Sequence, residues 1–266
     1  MKVVLINPYE IGRQPFGLAE PAAWLARAGC EVHCLDLTLQ RLEPEVLRDA
    51  RVVAIYVAMH TATRIAMEAI PRIRAIAPQA HLCVYGLYAP MNEKRLRELG
   101  VQTVLGGEVE PALVSLVERL RSGESAIATS LSRGPRLDPI GDGQAQTEPV
   151  VNLSKIEFMT PDRRALPPLE RYAHLQLPDG GRKTVGFAEG SRGCKHLCRH
   201  CPVVPVYHGM FRVIPVEVVL ADVRQQVAAG AQHISFGDPD FFNGPTHALK
   251  LVQALHAEFP DISYDA

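Results

Sequence analysis

A long apolar run is the first thing missing. No stretch of about 18 consecutive apolar residues occurs in the 266-residue sequence, so no membrane-spanning helix is expected. Charge of one sign is missing too. Against 28 Lys and Arg stand 29 Asp and Glu, a formal net charge of −1, which gives no electrostatic reason to expect nucleic acid or an anionic membrane surface as partner. Cysteine is scarce, six residues in all, and it is not spread out like a disulfide framework, because three of the six fall between positions 194 and 201. No secretion signal precedes the first strand: Met1-Lys2 leads directly into Val3-Val4-Leu5-Ile6. The last two absences make a reducing cytoplasm the expected location.

What is present is an ordinary globular balance, 47% hydrophobic and 21% charged, in a chain long enough for two domains and a sizeable core. The run at 3–6, closed by Asn7-Pro8, reads as a buried parallel strand. A helix is expected over 21–28, with Pro21 in its first turn and Gly29 as its stop. Strands follow at 31–37, 52–57, 82–85 and 101–105, and helices at 61–76, 91–99 and 111–120; Pro71 predicts a kink or break in the first of these. This alternation describes a doubly wound, Rossmann-like α/β domain with a mostly parallel sheet over residues 1–122.

Ligands of such sheets sit beyond the carboxyl ends of the strands, which here carry Asn7, Met59-His60-Thr61, Tyr85-Gly86-Leu87 and Leu105-Gly106-Gly107-Glu108. Gly86, Gly106 and Gly107 either admit a nucleotide-like group close to the backbone or simply turn the chain. Cys34 and Cys83 lie within apolar strand runs and read as small buried hydrophobes, and no function is assigned to Cys30.

Over 123–183 the pattern changes to Ser, Gly, Pro and charge, most clearly at 130–142, which reads as a linker containing a hairpin turned by Pro178-Asp179-Gly180-Gly181. From 184 to 266 the βα alternation resumes: a strand at 184–187, a helix at 215–229, a strand at 233–236, a helix at 245–259 and a third strand from 262.

Between the strand at 184–187 and its helix lies Glu189-Gly190-Ser191-Arg192-Gly193-Cys194-Lys195-His196-Leu197-Cys198-Arg199-His200-Cys201-Pro202. C-x3-C-x2-C spacing in one short loop lets three soft thiolates converge as corner ligands of a cuboidal iron–sulfur cluster, with one iron left open. The alternative is zinc held by the same cysteines with His196 or His200. Zinc sites usually pair two separated half-knuckles, and no second half follows. The loop after 233–236 reads Gly237-Asp238-Pro239-Asp240, whose carboxylates can accept from an ammonium group or cap the next helix.

Cys194-x3-Cys198-x2-Cys201, with Ser191-Arg192-Gly193 before it and Pro202 after it, resembles the cluster motif of the radical S-adenosylmethionine (radical SAM) enzymes, in the branch with an N-terminal cobalamin (B12)-binding domain. The layout of 1–122 resembles that domain, and Gly106-Gly107-Glu108-x-Glu110 resembles a segment after its last strand. Arg163, Leu166-Pro167-Pro168-Leu169 and Tyr172 resemble the crossing between domains, and Arg212 a recurring basic position.

The resemblance implies a [4Fe-4S] cluster on Cys194, Cys198 and Cys201, and S-adenosyl-L-methionine (SAM) at the open iron, seated by His200, Gly237, Asp238 and Asp240. It implies cobalamin against His60, Gly86, Gly106, Gly107 and Glu108. The implied reaction is reductive cleavage of SAM to a 5′-deoxyadenosyl radical, then cobalamin-dependent methyl transfer to a small-molecule or peptide substrate, with a flavodoxin or ferredoxin as reductant. The alternatives are the same enzyme without cobalamin, or a non-catalytic zinc-binding regulatory protein. Two departures are visible. His200 stands where many members carry an aromatic residue, and the D-x-H-x-x-G signature, whose histidine ligates cobalt in one large group of cobalamin proteins, is absent. The family's partial (β/α) barrel has more units than follow Thr184, so a barrel truncated after about three strands, in an incomplete and inactive fragment, is expected.

Overall fold

Val3, Val4, Leu5 and Ile6 are all fully buried, as a strand covered on both faces requires. In the computed structural model, which describes residues 1–123 and 150–266, they form the middle of β1 (Lys2–Asn7). The chain continues through α1 (Phe16–Arg27), β2 (Glu31–Asp36), a short α2 (Pro44–Leu47), β3 (Val52–Tyr56), α3 (His60–Ile76) and β4 (His81–Tyr85). Next come α4 (Glu93–Glu98), β5 (Thr103–Gly107), α5 (Glu110–Ser122) and β6 (Val150–Asn152). All six strands are parallel, in the order β2-β1-β3-β4-β5-β6. Side chains alternate between two cores: Val4, Ile6, Val53, Ile55 and Val84 face α3 and α4, while Val3, Leu5, Ala54 and Tyr85 face α1 and α5.

Two prolines sit where the sequence reading placed boundaries, and neither ends a helix. α1 begins at Phe16 rather than at Pro21, so Pro21 is interior. A proline there leaves the carbonyl of Gly17 without its helical donor, and the Tyr85 hydroxyl donates to that carbonyl at 2.8 Å. α3 runs unbroken through Pro71. Ile70 and Ile73 on either side of it are buried against the sheet. Burying two such side chains contributes about 1.5–3 kcal/mol each, which offsets the roughly 3 kcal/mol that an interior proline costs.

The stretch expected as a linker supplies β6 to the edge of the first sheet and packs along both halves. Its residues 130–142 lie outside the described residues. Asp162 N donates to Ala19 O at 2.8 Å and Ala173 N to Gly12 O at 2.8 Å. Tyr172 donates through its hydroxyl to Asp36 at 2.8 Å. Arg163 is buried and makes a two-pronged pair with Asp222, Nε–Oδ1 2.6 Å and Nη2–Oδ2 2.8 Å, while also donating to Gln14 Oε1 at 2.7 Å and Phe187 O at 2.6 Å. One guanidinium thus joins the loop after β1 to the second half.

That second half opens with a hairpin of β7 (His174–Gln176) and β8 (Arg182–Ala188), closed by Leu177 N donating to Gly181 O at 2.9 Å. A ribbon of β9 (Ser191–Gly193) and β10 (Phe211–Val213) encloses the short α6 (Val204–Tyr207). Then follow α7 (Val216–Ala228), β11 (His233–Phe236), α8 (Pro245–Glu258) and β12 (Ser263–Asp265). β8, β11 and β12 are parallel, and α7 and α8 bury Val223, Leu251 and Leu255 beneath them. Among the described residues no helix is long and apolar enough to cross a membrane.

Candidate active-site cleft

Strand polarity decides where the site is. The carboxyl ends of β1, β3, β4 and β5 and those of β8 and β11 open on one cleft of about 310 Å³. Glu10, Met59, Gly86 and Gly107 line it from the first half, and Glu189, Arg192 and Gly237 from the second. A volume of this size is at the small end of organic-ligand sites. Phe16, Tyr56, Tyr85, Phe187 and Tyr207 supply its apolar wall.

The cysteine loop hangs from the cleft rim. Gly193 ends β9 with φ +70°, where a Cβ would collide with the Met210 carbonyl, so only glycine turns the chain here without strain. Cys194 follows, buried with Val203, Val206 and Tyr207, and Cys201 packs partly against the same group. Cys198 is exposed, and all three thiols are free. Among the described residues no three or more His, Cys, Asp or Glu side chains are gathered closely enough to hold a metal ion. The loop thus carries the three thiols within eight consecutive residues, not gathered into a ligand set. As donors, three free thiols in one short loop fit a cluster better than a hard cation. His196 faces Asp240 at 3.4 Å, and His200 is exposed.

The first part of this loop is tied to the β11–α8 connection. Gly190 N donates to Asp238 Oδ2 at 2.9 Å, and the Ser191 hydroxyl donates to the other oxygen. Lys195 N donates to Asn243 Oδ1 at 2.6 Å, and Lys195 Nζ to Asn243 O at 2.5 Å. Burial pushes the Asp238 carboxyl above its usual range, with the bonds from Gly190 and Ser191 working the other way. Asp240 accepts from Phe242 N at 3.1 Å, as a cap of the turn before α8. Gly237 lines the cleft, and the Phe187 ring lies where its Cβ would be.

The residues expected to meet SAM are therefore distributed: Gly237 is in the cleft wall, Asp238 holds the cysteine loop, Asp240 caps a turn and His200 faces solvent. Those expected to meet cobalamin divide as well. Gly86 and Gly107 line the cleft, whereas Gly106 packs on Pro90. Glu108 is fully buried beneath Arg192. His60 begins α3, exposed and outside the lining. Asn7 is buried and donates to Asp36 at 3.0 Å, so it shapes the sheet end rather than the cleft.

Sequence reasoning missed the charge network on the cleft floor. Arg192 donates to Glu108 at 2.7 Å, to Glu110 at 2.9 Å and to Glu20, and its Nε lies 3.7 Å from Glu189. Arg212 Nε is 3.5 Å from the far oxygen of Glu108. Burial raises the carboxyls of Glu20 and Glu108, opposed chiefly by Arg192. Burial likewise pushes Glu189 up to about 8 and Glu10 up to about 7, opposed by Arg192 and Arg13 respectively. A signal did exist: Glu20 interrupts the apolar helix stretch Leu18-Ala19-Glu20-Pro21-Ala22.

No protein-family model matches the chain. A structure of the radical SAM methyltransferase TsrM from Kitasatospora setae, with cobalamin and a [4Fe-4S] cluster bound, superposes with a TM-score of 0.74 at 21% identity, over 98% of this chain and 54% of that one. A second TsrM structure, with tryptophan substrate and the SAM analog aza-SAM bound, gives a TM-score of 0.72 at 22% identity, covering 98% and 52%. The tRNA-2-methylthio-N(6)-dimethylallyladenosine synthase of Fusobacterium nucleatum subsp. nucleatum is 31% identical over 115 residues, 40% of this chain and 25% of that protein. At 21–22% identity the TsrM superpositions show a shared fold. The chain spans about half the length of the TsrM chains and a quarter of the synthase.

Proposed function

We propose that this chain is the cofactor-bearing part of a radical SAM enzyme that uses cobalamin to transfer a methyl group. The observation that carries the reading is the C-x3-C-x2-C loop, with three free thiols, at the mouth of a cleft shared by the carboxyl ends of parallel strands from two sheets. Cys194, Cys198 and Cys201 would hold a [4Fe-4S] cluster, which when bound supplies the electron that opens the sulfonium bond of SAM. Asp238 and Asn243 fix the start of the loop, and Gly237, packed against the Phe187 ring, brings backbone to the cleft wall where SAM would lie. Gly86 and Gly107, both at positive φ, turn the chain at the cleft's opposite side, where cobalamin would lie. Phe16, Tyr56 and Phe187 keep water from the space between. The parallel strands β8, β11 and β12 are read as the opening of a partial barrel that the rest of such an enzyme completes. A cytoplasmic setting, a flavodoxin- or ferredoxin-type electron donor and a small-molecule or peptide substrate belong to the same proposal.

The test is iron and acid-labile sulfide content after anaerobic reconstitution. About four of each per chain is expected for the wild type, with loss of the cluster on Cys194→Ala, Cys198→Ala or Cys201→Ala. Bound zinc without sulfide would replace this reading with a structural metal site.

A further inference from the structure

Carboxylates outnumber guanidiniums in the cleft wall. Glu10, Glu20, Glu110 and Glu189 line it, against Arg13 and Arg192. Neither arginine is free. The Arg13 guanidinium lies over the Phe187 ring at 4.8 Å, and Arg192 is taken up by Glu20, Glu108 and Glu110. Acceptors are left over. Glu10, only 8% exposed, has no hydrogen-bond partner on Oε2, and the same holds for Glu20 Oε1 and Glu110 Oε2. The nearest cation to the Glu189 carboxylate is Arg192 Nε at 3.7 Å, beyond hydrogen-bond reach. Desolvated carboxylates in surplus call for a cation or for protons.

We infer that this cleft receives a protonated amine carried on an apolar or aromatic body, its ammonium group filling the acceptors of Glu10 and Glu189 while Phe16, Tyr56 and Phe187 pack the rest. An ammonium group brings hydrogen-bond donors and one positive charge, which suit the unpaired Glu10 carboxylate, the weakly paired Glu189 and the charge surplus. Aromatic faces add a further attraction for the cation. This deepens the proposed function, on which it rests for calling the amine a substrate. It names the substrate class. Glu10 is faced by Arg13, Asp36, Glu189 and Tyr56, and Glu189 by Arg192, Asp238, Glu10, Glu20, Glu110, Tyr56 and Tyr207. With negative groups in the majority around both, the pair gives up its protons more readily once an ammonium is bound.

The experiment is a calorimetric titration of the reconstituted protein with phenethylamine and with its neutral counterpart 2-phenylethanol. The amine is expected to bind about tenfold more tightly, the scale of one charge-assisted hydrogen bond, and to lose that advantage in Glu10→Gln and Glu189→Gln. On the wild-type protein alone, amine affinity is expected to rise from pH 6 to pH 8 while that of the alcohol stays level. Equal affinities, or a flat amine profile, would overturn the inference. Saturating SAM separates the two sources of a cationic nitrogen: an unchanged amine affinity assigns the site to a second ligand. Abolished amine binding would give the carboxylates to SAM and overturn it. If no cluster can be loaded, the proposed function fails, and the amine-versus-alcohol comparison on the metal-free chain still decides the ligand class.

Discussion

Arg192 donates to Glu108 across 2.7 Å, from a position just before Cys194 to a fully buried carboxylate just ahead of α5. This pair fixes the cysteine loop of one half against the strand ends of the other. Glu20 and Glu110 hold the same guanidinium, so three carboxylates of the first half converge on one cation of the second.

Removing that cation leaves buried carboxylates unpaired. Arg192→Met is expected to cost about 3–5 kcal/mol of stability, with Arg192→Lys costing less but not neutral, since an ammonium cannot serve so many carboxylates in one plane. Urea unfolding of the metal-free chain measures both. A cost below about 1 kcal/mol, the scale of a surface pair, would mean that the network does not bear on folding.

The Arg163–Asp222 pair makes a separate prediction. Both side chains are buried, and the fork is two-pronged. Asp222→Asn is expected to destabilise by about 3–5 kcal/mol and to increase protease cleavage between the halves, because Arg163 also holds Gln14 and Phe187. Limited proteolysis that leaves the variant as resistant as the parent would refute the strap.

Stability should fall as pH rises toward 8. Burial lifts Glu10 to about 7 and Glu189 to about 8, from an ordinary value of 4.5. The folded chain therefore keeps protons that the unfolded chain releases. Stability from this source is complete below about pH 4.5 and is lost as pH climbs through the raised values. Urea midpoints at pH 6 and pH 8 test it, with Glu189→Gln flattening the slope. A midpoint that rises over this interval contradicts the sign.

Thiol reactivity should rank the cysteines. Cys198 is exposed, whereas Cys34 is buried and its thiol is pushed up to about 12, and burial raises the Cys83 thiol as well. Iodoacetamide with mass spectrometry is expected to label Cys198 first and to leave Cys34 and Cys83 unlabelled until unfolding. Loading the cluster should abolish labelling at Cys198. Early modification of Cys83 would show that the first core opens readily.

Much of the fold was legible because it rests on local pattern. The apolar runs of β1, β3 and β4, the helix face of Ala66, Ile70 and Ile73, and the hairpin at Pro178–Gly181 each follow from neighbours in sequence. What escaped was set at long range. Pro21 stays helical because Tyr85, 68 positions from Gly17, satisfies the Gly17 carbonyl that the proline exposes. β6 is a three-residue strand that exists only as the edge partner of β5. The cysteine loop announced itself through spacing, yet its charge partners could not be read, since Glu20 lies 172 positions from Arg192. Asp238 and Asp240 are expected from the sequence to meet an ammonium group or to cap the next helix. Asp240 does cap the turn before α8, while Asp238 holds the backbone of Gly190, a partner 48 positions away that local spacing could not name.

The most direct measurement is electron paramagnetic resonance of the anaerobically reconstituted, reduced protein, with and without SAM. A [4Fe-4S] signal that changes on adding SAM is the expected result, because three thiolates leave one iron open to that ligand. A cluster signal indifferent to SAM, or no cluster at all, would contradict the proposed function.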